Sequence, residues 1–170
     1  MFFIPGFLIS IITFPGVIVH EFAHKLFCIM THTHVREVCY FRFGNPAGYV
    51  IHDMPNTIWK HILIGIGPFI VNSIIGLSIG LIIVFLKDIG QIKYFLVWLG
   101  VSIAMHSFPS SGDAKSIWSA LWKEETPLSA KIVGTPLVGC IMLVSLGSMF
   151  WLDLFYGVAI IFLLPKTILG

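Results

Sequence analysis

The chain has 170 residues, 57% of them hydrophobic and only 11% charged, with a mean hydropathy of +0.96. A soluble globular domain is nearer half apolar and a quarter charged, so this composition excludes a water-soluble monomer and makes the bilayer the expected solvent. Ten Lys+Arg against eight Asp+Glu leave a net charge of +2, with no basic cluster of the kind that marks a nucleic-acid surface, and three cysteines (Cys28, Cys39, Cys140) without metal or redox spacing exclude a complete disulfide framework.

Phe2 to Met30 carries two charges, Glu21 and Lys25. As a helix of about 43 Å it exceeds a hydrocarbon core of about 30 Å, and Pro15-Gly16 predicts a kink. It lacks the basic start of a signal peptide and is expected to stay in the mature protein. Residues 35–43 are rich in β-branched and aromatic side chains, Gly44-Asn45-Pro46-Ala47-Gly48 is a turn signal, and Tyr49 to His52 reads as a returning strand. A β-hairpin follows from that pattern.

A second membrane segment is predicted from Ile58 to about Leu86, ended by Lys87-Asp88-Ile89-Gly90, and a third, shorter one from Ile92 to about His106. Ser107 to Gly112 forms a Pro/Gly-containing loop, after which Asp113 can cap a helix over Ala114 to Trp122. Lys131 to Leu164 is apolar apart from Asp153 and, at about 51 Å, too long for one crossing. A division near Trp151-Leu152-Asp153 gives one full crossing and a shorter terminal helix.

The expected fold is therefore an all-α membrane protein. It is one domain over residues 1–170, a polytopic bundle of about four to five transmembrane helices with a small β-hairpin inserted after the first. The core occupies about residues 7–122, with additional helices over 128–164. With the N-terminus outside, the cytoplasmic side holds Lys25, Arg36, Arg42, Lys60, Lys115, Lys123, Lys131 and Lys166, against Lys87 and Lys93 outside. That asymmetry places the hairpin and the Asp113 loop in the cytoplasm.

His20-Glu21-Phe22-Ala23-His24 is an HExxH sequence within an apolar helix. Histidines at i and i+4 lie about 40° apart around a helix, so both imidazoles can reach one ion. Glu21 projects beside them, placed to accept a proton from a metal-bound water. A Glu between two His is costly in a membrane unless it serves a function; the structural alternative is a polar cluster binding neighbouring helices. A catalytic zinc site needs a third protein ligand. Asp113, His106, Asp53, His52, His32, His34 and His61 are the candidates. Topology favours Asp113, because the third crossing returns to the His20/His24 side just before it, although Asp113 can equally serve as a helix cap. His106 can orient Asp113, stabilise an oxyanion, act as a ligand, or have no role. Asn72, inside an apolar helix, is of a type that usually bonds a neighbouring helix. His32 and His34 share a strand face, a pattern more often solvated than metal-binding.

HExxH in a first core helix, followed two crossings later by a Pro-containing loop ending in Asp, resembles the site-2 protease family of intramembrane zinc metalloproteases. The resemblance spans roughly residues 7–122. His20, Glu21 and His24 match in full. The family's Asn-x-x-Pro-x-x-x-x-Asp-Gly motif is matched in order by His106, Pro109 and Asp113, with His for Asn, one residue fewer between Pro and Asp, and Ala114 for Gly. Its Gly-Pro-x-x-Asn is met by Gly67-Pro68-Phe69-Ile70-Val71-Asn72, one residue longer. The resemblance implies Zn²⁺ held by His20, His24 and Asp113, and Glu21 as general base. It also implies that Asn72 holds substrate backbone, and that the substrate is a transmembrane helix of a membrane protein, met within the lipid bilayer. The expected location is a prokaryotic plasma membrane, with the active site towards the cytoplasm. The competing expectation is a membrane zinc-binding or scaffold protein that recognises helices without cutting them. A metal transporter fits less well, since the crossings show few polar residues.

Overall fold

Long apolar runs without strand periodicity favour helices, and the chain is built mostly of them. A computed structural model describes residues 6–86 and 90–169. The predicted beginning of the first segment at Phe2 and its termination signal Lys87-Asp88-Ile89 after the second lie outside the described residues. In chain order the elements are α1 (Gly6–Ile12), α2 (Phe14–Met30), β1 (Val35–Cys39), β2 (Tyr49–His52), α3 (Ile58–Phe85), α4 (Ile92–Met105), α5 (Ser111–Leu121) and α6 (Leu128–Gly147). A 3₁₀ turn (Ser148–Phe150) then leads to α7 (Leu152–Val158), a π-helical stretch (Ala159–Leu163) and α8 (Leu164–Leu169). Among the described residues, three helical stretches are long and apolar enough to cross a membrane: Ile58–Phe85, Leu128–Gly147 and Leu152–Leu169.

The predicted kink in the first segment is a complete break, and it falls at Thr13 rather than at Pro15-Gly16. Pro15 sits in the first turn of α2, where its missing N–H costs nothing. The Ser102 hydroxyl of α4 repairs the break, accepting the Gly16 N–H at 3.1 Å and donating to Thr13 O at 2.9 Å. Gly16 is required there: a Cβ would fall on the Ser102 carbonyl oxygen and within 2.6 Å of His106 Nδ1. Small residues of this kind let membrane helices approach closely.

Contacts give the helix directions. Trp98 donates to Ile12 O at 3.1 Å, Ser102 meets Gly16, and His20 Nδ1 lies 2.7 Å from His106 O, so α2 and α4 run parallel. The helix α3 runs against both, with Ile64 beside His24 and Asn72 beside Gly16. From Leu128 onward the partners are met in reverse order: Gly134 on Leu121, Ser145 on Pro109, Gly157 on Met105, Ile161 on Gly100. The break at residues 148–151, where a division was expected, turns the chain without reversing it.

The two strands form an antiparallel pair, Val35 opposite His52 and Cys39 opposite Tyr49, with an irregularity between Val35 and Glu37. The first strand is shorter than the predicted run to Phe43. The hairpin does not project beyond α2 but folds back along it. Phe41 packs against Phe14 at 5.9 Å between ring centroids, and Lys25 Nζ reaches the Tyr40 hydroxyl at 3.2 Å. One apolar cluster joins α3, α4 and the π-helical stretch through Ile79, Ile83, Ile103, Ala104, Ile160 and Ile161. Another joins α3, α5 and α6 through Ile62, Ile117, Leu121 and Val138. Leu143, Phe150 and Phe155 point outward and are exposed.

Because the Ser102 carbonyl is backbone and cannot yield, Gly16→Ala is expected to destabilise the protein by about 1–3 kcal/mol. Thermal unfolding in detergent measures this; a melting temperature equal to wild type would contradict the α2–α4 packing described.

Candidate metal centre

Helix α2 carries His20, Glu21 and His24, and all three are buried. Each histidine donates Nδ1–H to a main-chain carbonyl on another helix: His20 to His106 O at 2.7 Å and His24 to Ile64 O at 2.9 Å. A carbonyl only accepts, so both rings are held as Nδ1–H tautomers with the Nε2 lone pairs free. Those two Nε2 atoms face each other at 3.2 Å. Asp113 Oδ2 lies 3.4 Å from His24 Nε2 and 3.9 Å from His20 Nε2.

Two lone pairs and a carboxylate pointed at one spot repel each other unless a proton or a metal cation sits between them. A tetrahedral divalent ion with bonds of about 2.0–2.1 Å holds its ligand atoms about 3.3–3.4 Å apart. Two of the three separations fall close to that spacing, and the donor atoms all lie within 4.8 Å of one another. His20, His24 and Asp113 can therefore hold a metal ion.

Asp113 was weighed in the sequence as either ligand or N-cap. The N-cap is Ser110, and Asp113 is the third residue inside the helix, completing a reciprocal capping box. Its Oδ2 accepts from the Ser110 N–H at 2.8 Å and from Ser110 Oγ at 2.6 Å, while Ser110 Oγ accepts the Asp113 N–H at 3.2 Å. Capping and ligation are thus not alternatives: the cap fixes the carboxylate where the histidines meet it. Ser110 went unnoticed in the sequence although Ser-x-x-Asp ahead of a helix carries the signal.

The remaining candidates do not join the cluster. His106 gives its backbone oxygen to His20, and its own Nδ1 donates to Ser102 O at 2.9 Å. Its ring lines the cavity beside the centre. Asn72 is fully buried and directs Nδ2 to main-chain oxygens of Ile103 and His106, each at 3.1 Å, so it braces the carbonyl that orients His20. His61 bonds Ser116 of α5 at 3.2 Å and stacks edge-on against His52. His34 and Arg36 both pair with Asp53, and His32 is exposed nearby.

The centre opens into a cavity of about 730 Å³ walled by α2, α3, the 106–113 loop and hairpin residues 45–50. Gly48 lies directly on Glu21: a Cβ there would come within 2.7 Å of Glu21 Cγ. Comparison with family models, characterised proteins and solved structures returns no match for this chain.

The purified protein is expected to hold about one divalent ion per chain, lost on replacing His20 and His24 together by Ala. Asn72→Ala is expected to weaken metal affinity by about 10–100-fold, the range for losing support behind a ligand. Metal analysis after dialysis against graded chelator reads both; full retention in the double variant would exclude this centre.

Proposed function

We propose that the chain is a multi-pass intramembrane zinc metalloprotease of the kind found in the site-2 protease family. The observation that carries the reading is the placement of Glu21. It shares a helical turn with two histidines whose lone pairs converge with Asp113, and all four groups line a single cavity. Metal binding alone requires no carboxylate at that position. The nitrogen–nitrogen–oxygen donor set and its near-tetrahedral spacing support zinc.

Bound zinc would supply Lewis acidity towards a peptide carbonyl and towards water. The chain's own residues do the rest. His20 and His24 are held fixed by their Nδ1–H bonds to His106 O and Ile64 O. Glu21 takes a proton from the attacking water as the carbon–oxygen bond forms, then returns it to the leaving amine nitrogen as the carbon–nitrogen bond breaks. Ile64 lies about 9 Å along α3 from its start at Ile58, which supports cleavage below the membrane surface. A transmembrane helix keeps its peptide bonds hydrogen-bonded and must unwind before attack. Tyr49 and Val50 of β2 line the cavity, where an unwound segment can pair with a strand edge.

In this reading α3 and the other long helices form a membrane bundle with the N-terminus outside, and the centre lies towards the cytoplasm, as the lysine and arginine asymmetry favours. A cysteine placed at Gln91 is expected to react with an impermeant reagent from outside, and one at Glu124 only after permeabilisation. The reverse pattern would invert the orientation.

Gln is nearly isosteric with Glu but takes no proton at neutral pH. Glu21→Gln is therefore expected to keep its metal while cleavage of a transmembrane test peptide falls by about 10²–10⁴-fold. Equal cleavage by variant and wild type would refute the mechanism. Metal binding by both without cleavage by either would make the non-catalytic, helix-binding reading the better one.

A further inference from the structure

The cavity extends beyond the metal centre to a feature the mechanism leaves unused. Its far wall is the break between α6 and α7, where Ser145, Ser148 and Asp153 line it. Asp153 is the only charge in the apolar run from Ile132 to Leu164. An ionisable residue so placed is by default a functional feature. The backbone beside it is irregular, with a 3₁₀ turn and Trp151 in the left-handed conformation at φ 62°. Irregular backbone at membrane depth survives where it lines a polar cavity, and this one does.

The position of the break relative to the reaction is set by packing. Gly157 lies against Met105, and α7 runs opposite to α4. One turn back from Gly157 puts Asp153 level with residues 106–109, the loop that leads to Asp113. Ser145 Oγ ties the break to that loop, donating to Pro109 O at 2.8 Å.

The charge balance identifies the ligand. Asp153 Oδ1 accepts the Leu154 N–H at 2.8 Å, and among the described residues no Lys, Arg or His lies within ion-pair distance of it. Among the described residues no Lys or Arg lines the cavity. A divalent ion held by His20, His24 and Asp113 would offset Asp113 and Glu21 and leave Asp153 without a cationic partner. One carboxylate with two hydroxyls is too sparse for a second metal, and the only metal-type cluster among the described residues is that of His20, His24 and Asp113. The group that fits is an organic cation on an otherwise apolar partner. Transmembrane helices carry such groups, Lys and Arg, concentrated at their cytoplasmic ends.

We propose that the α6–α7 break is an acidic subsite in which Asp153 receives a Lys or Arg side chain of the bound helix and so selects which helices are accepted. As a statement about cleavage specificity it rests on the protease reading; as a statement about binding it does not. The probes are Leu/Ala transmembrane peptides bearing a single Lys, Glu or Gln at successive positions. Binding is measured in nanodiscs to protein carrying Glu21→Gln, so that nothing is cut during the measurement. At the best position the Lys peptide is expected to bind about tenfold tighter than its Glu or Gln counterpart. Asp153→Asn should abolish that preference, Asp153→Glu should retain it, and Asp153→Lys should turn it towards the Glu peptide, with metal content unchanged throughout. A preference that survives Asp153→Asn, or equal binding of all three peptides at every position, overturns the proposal. Wild-type cleavage of the same set separates the two claims. Cleavage without a Lys preference leaves the protease reading standing and removes the subsite. A Lys preference without cleavage leaves the subsite standing and removes the protease reading.

Discussion

Two main-chain carbonyls determine the geometry of the whole site. The oxygens of His106 and Ile64 each accept an Nδ1–H, and by doing so they turn two imidazoles on one helix until their lone pairs meet. Neither carbonyl belongs to α2. One ends α4 and the other lies in the first two turns of α3, so the centre exists only when three helices are in register. The packing can be read as the means of keeping that register. Gly16 lets α4 lie close against α2, Ser102 satisfies the broken start of α2, and Asn72 holds the His106 oxygen from the third side. The Ser102 contacts also satisfy main-chain groups at the broken start of α2, where a buried polar group left unpaired would cost about 2–7 kcal/mol depending on the reference state.

How much of this could be read in the sequence depends on the distance over which each signal acts. The HExxH pair is local, since two residues four apart on a helix must share a face, and no fold is needed to see it. The long apolar stretches and the hairpin's turn residues are local too, and the elements stand close to where those signals put them. The convergence of Asp113 with the histidines required counting crossings, which worked because the loops are short. What could not be read are the acceptors. A backbone oxygen carries no residue signature, so nothing in Ile64 or in the main chain of His106 announces that it orients a histidine. The fold-back of the hairpin was equally hidden, because it rests on a contact between Phe41 and Phe14 that sequence spacing does not suggest. Asp113 shows a different limit: two roles were set against each other although one carboxylate oxygen, Oδ2, both accepts the cap's hydrogen bonds and faces the histidines.

The polar residues of the chain divide into two kinds by what they touch. Asn72 and Ser102 spend their hydrogen bonds on the backbone, Ser110 shares its own with Asp113, and all three hold elements in place. Glu21 and Asp153 are carboxylates facing a cavity, and packing does not explain either of them. In a protein with so little polarity, that division is a more useful guide to chemistry than residue type, since asparagine and serine are as conspicuous as glutamate in an apolar sequence and yet serve the scaffold.

The shared use of the His106 peptide unit also governs mobility. Its oxygen is bonded by α2 and α3 side chains at once, and its ring is bonded to its own helix, so α4 cannot slide or rotate without turning an imidazole away from Asp113. The side of the molecule formed by α2, α3 and α4 is therefore the hinge-free side. Any breathing that leaves this geometry intact is confined to elements that contribute no atom to this network, the hairpin and the α6–α7 pair among them. Both line the cavity, the hairpin through residues 45–50 and the α6–α7 pair through Ser145, Ser148 and Asp153.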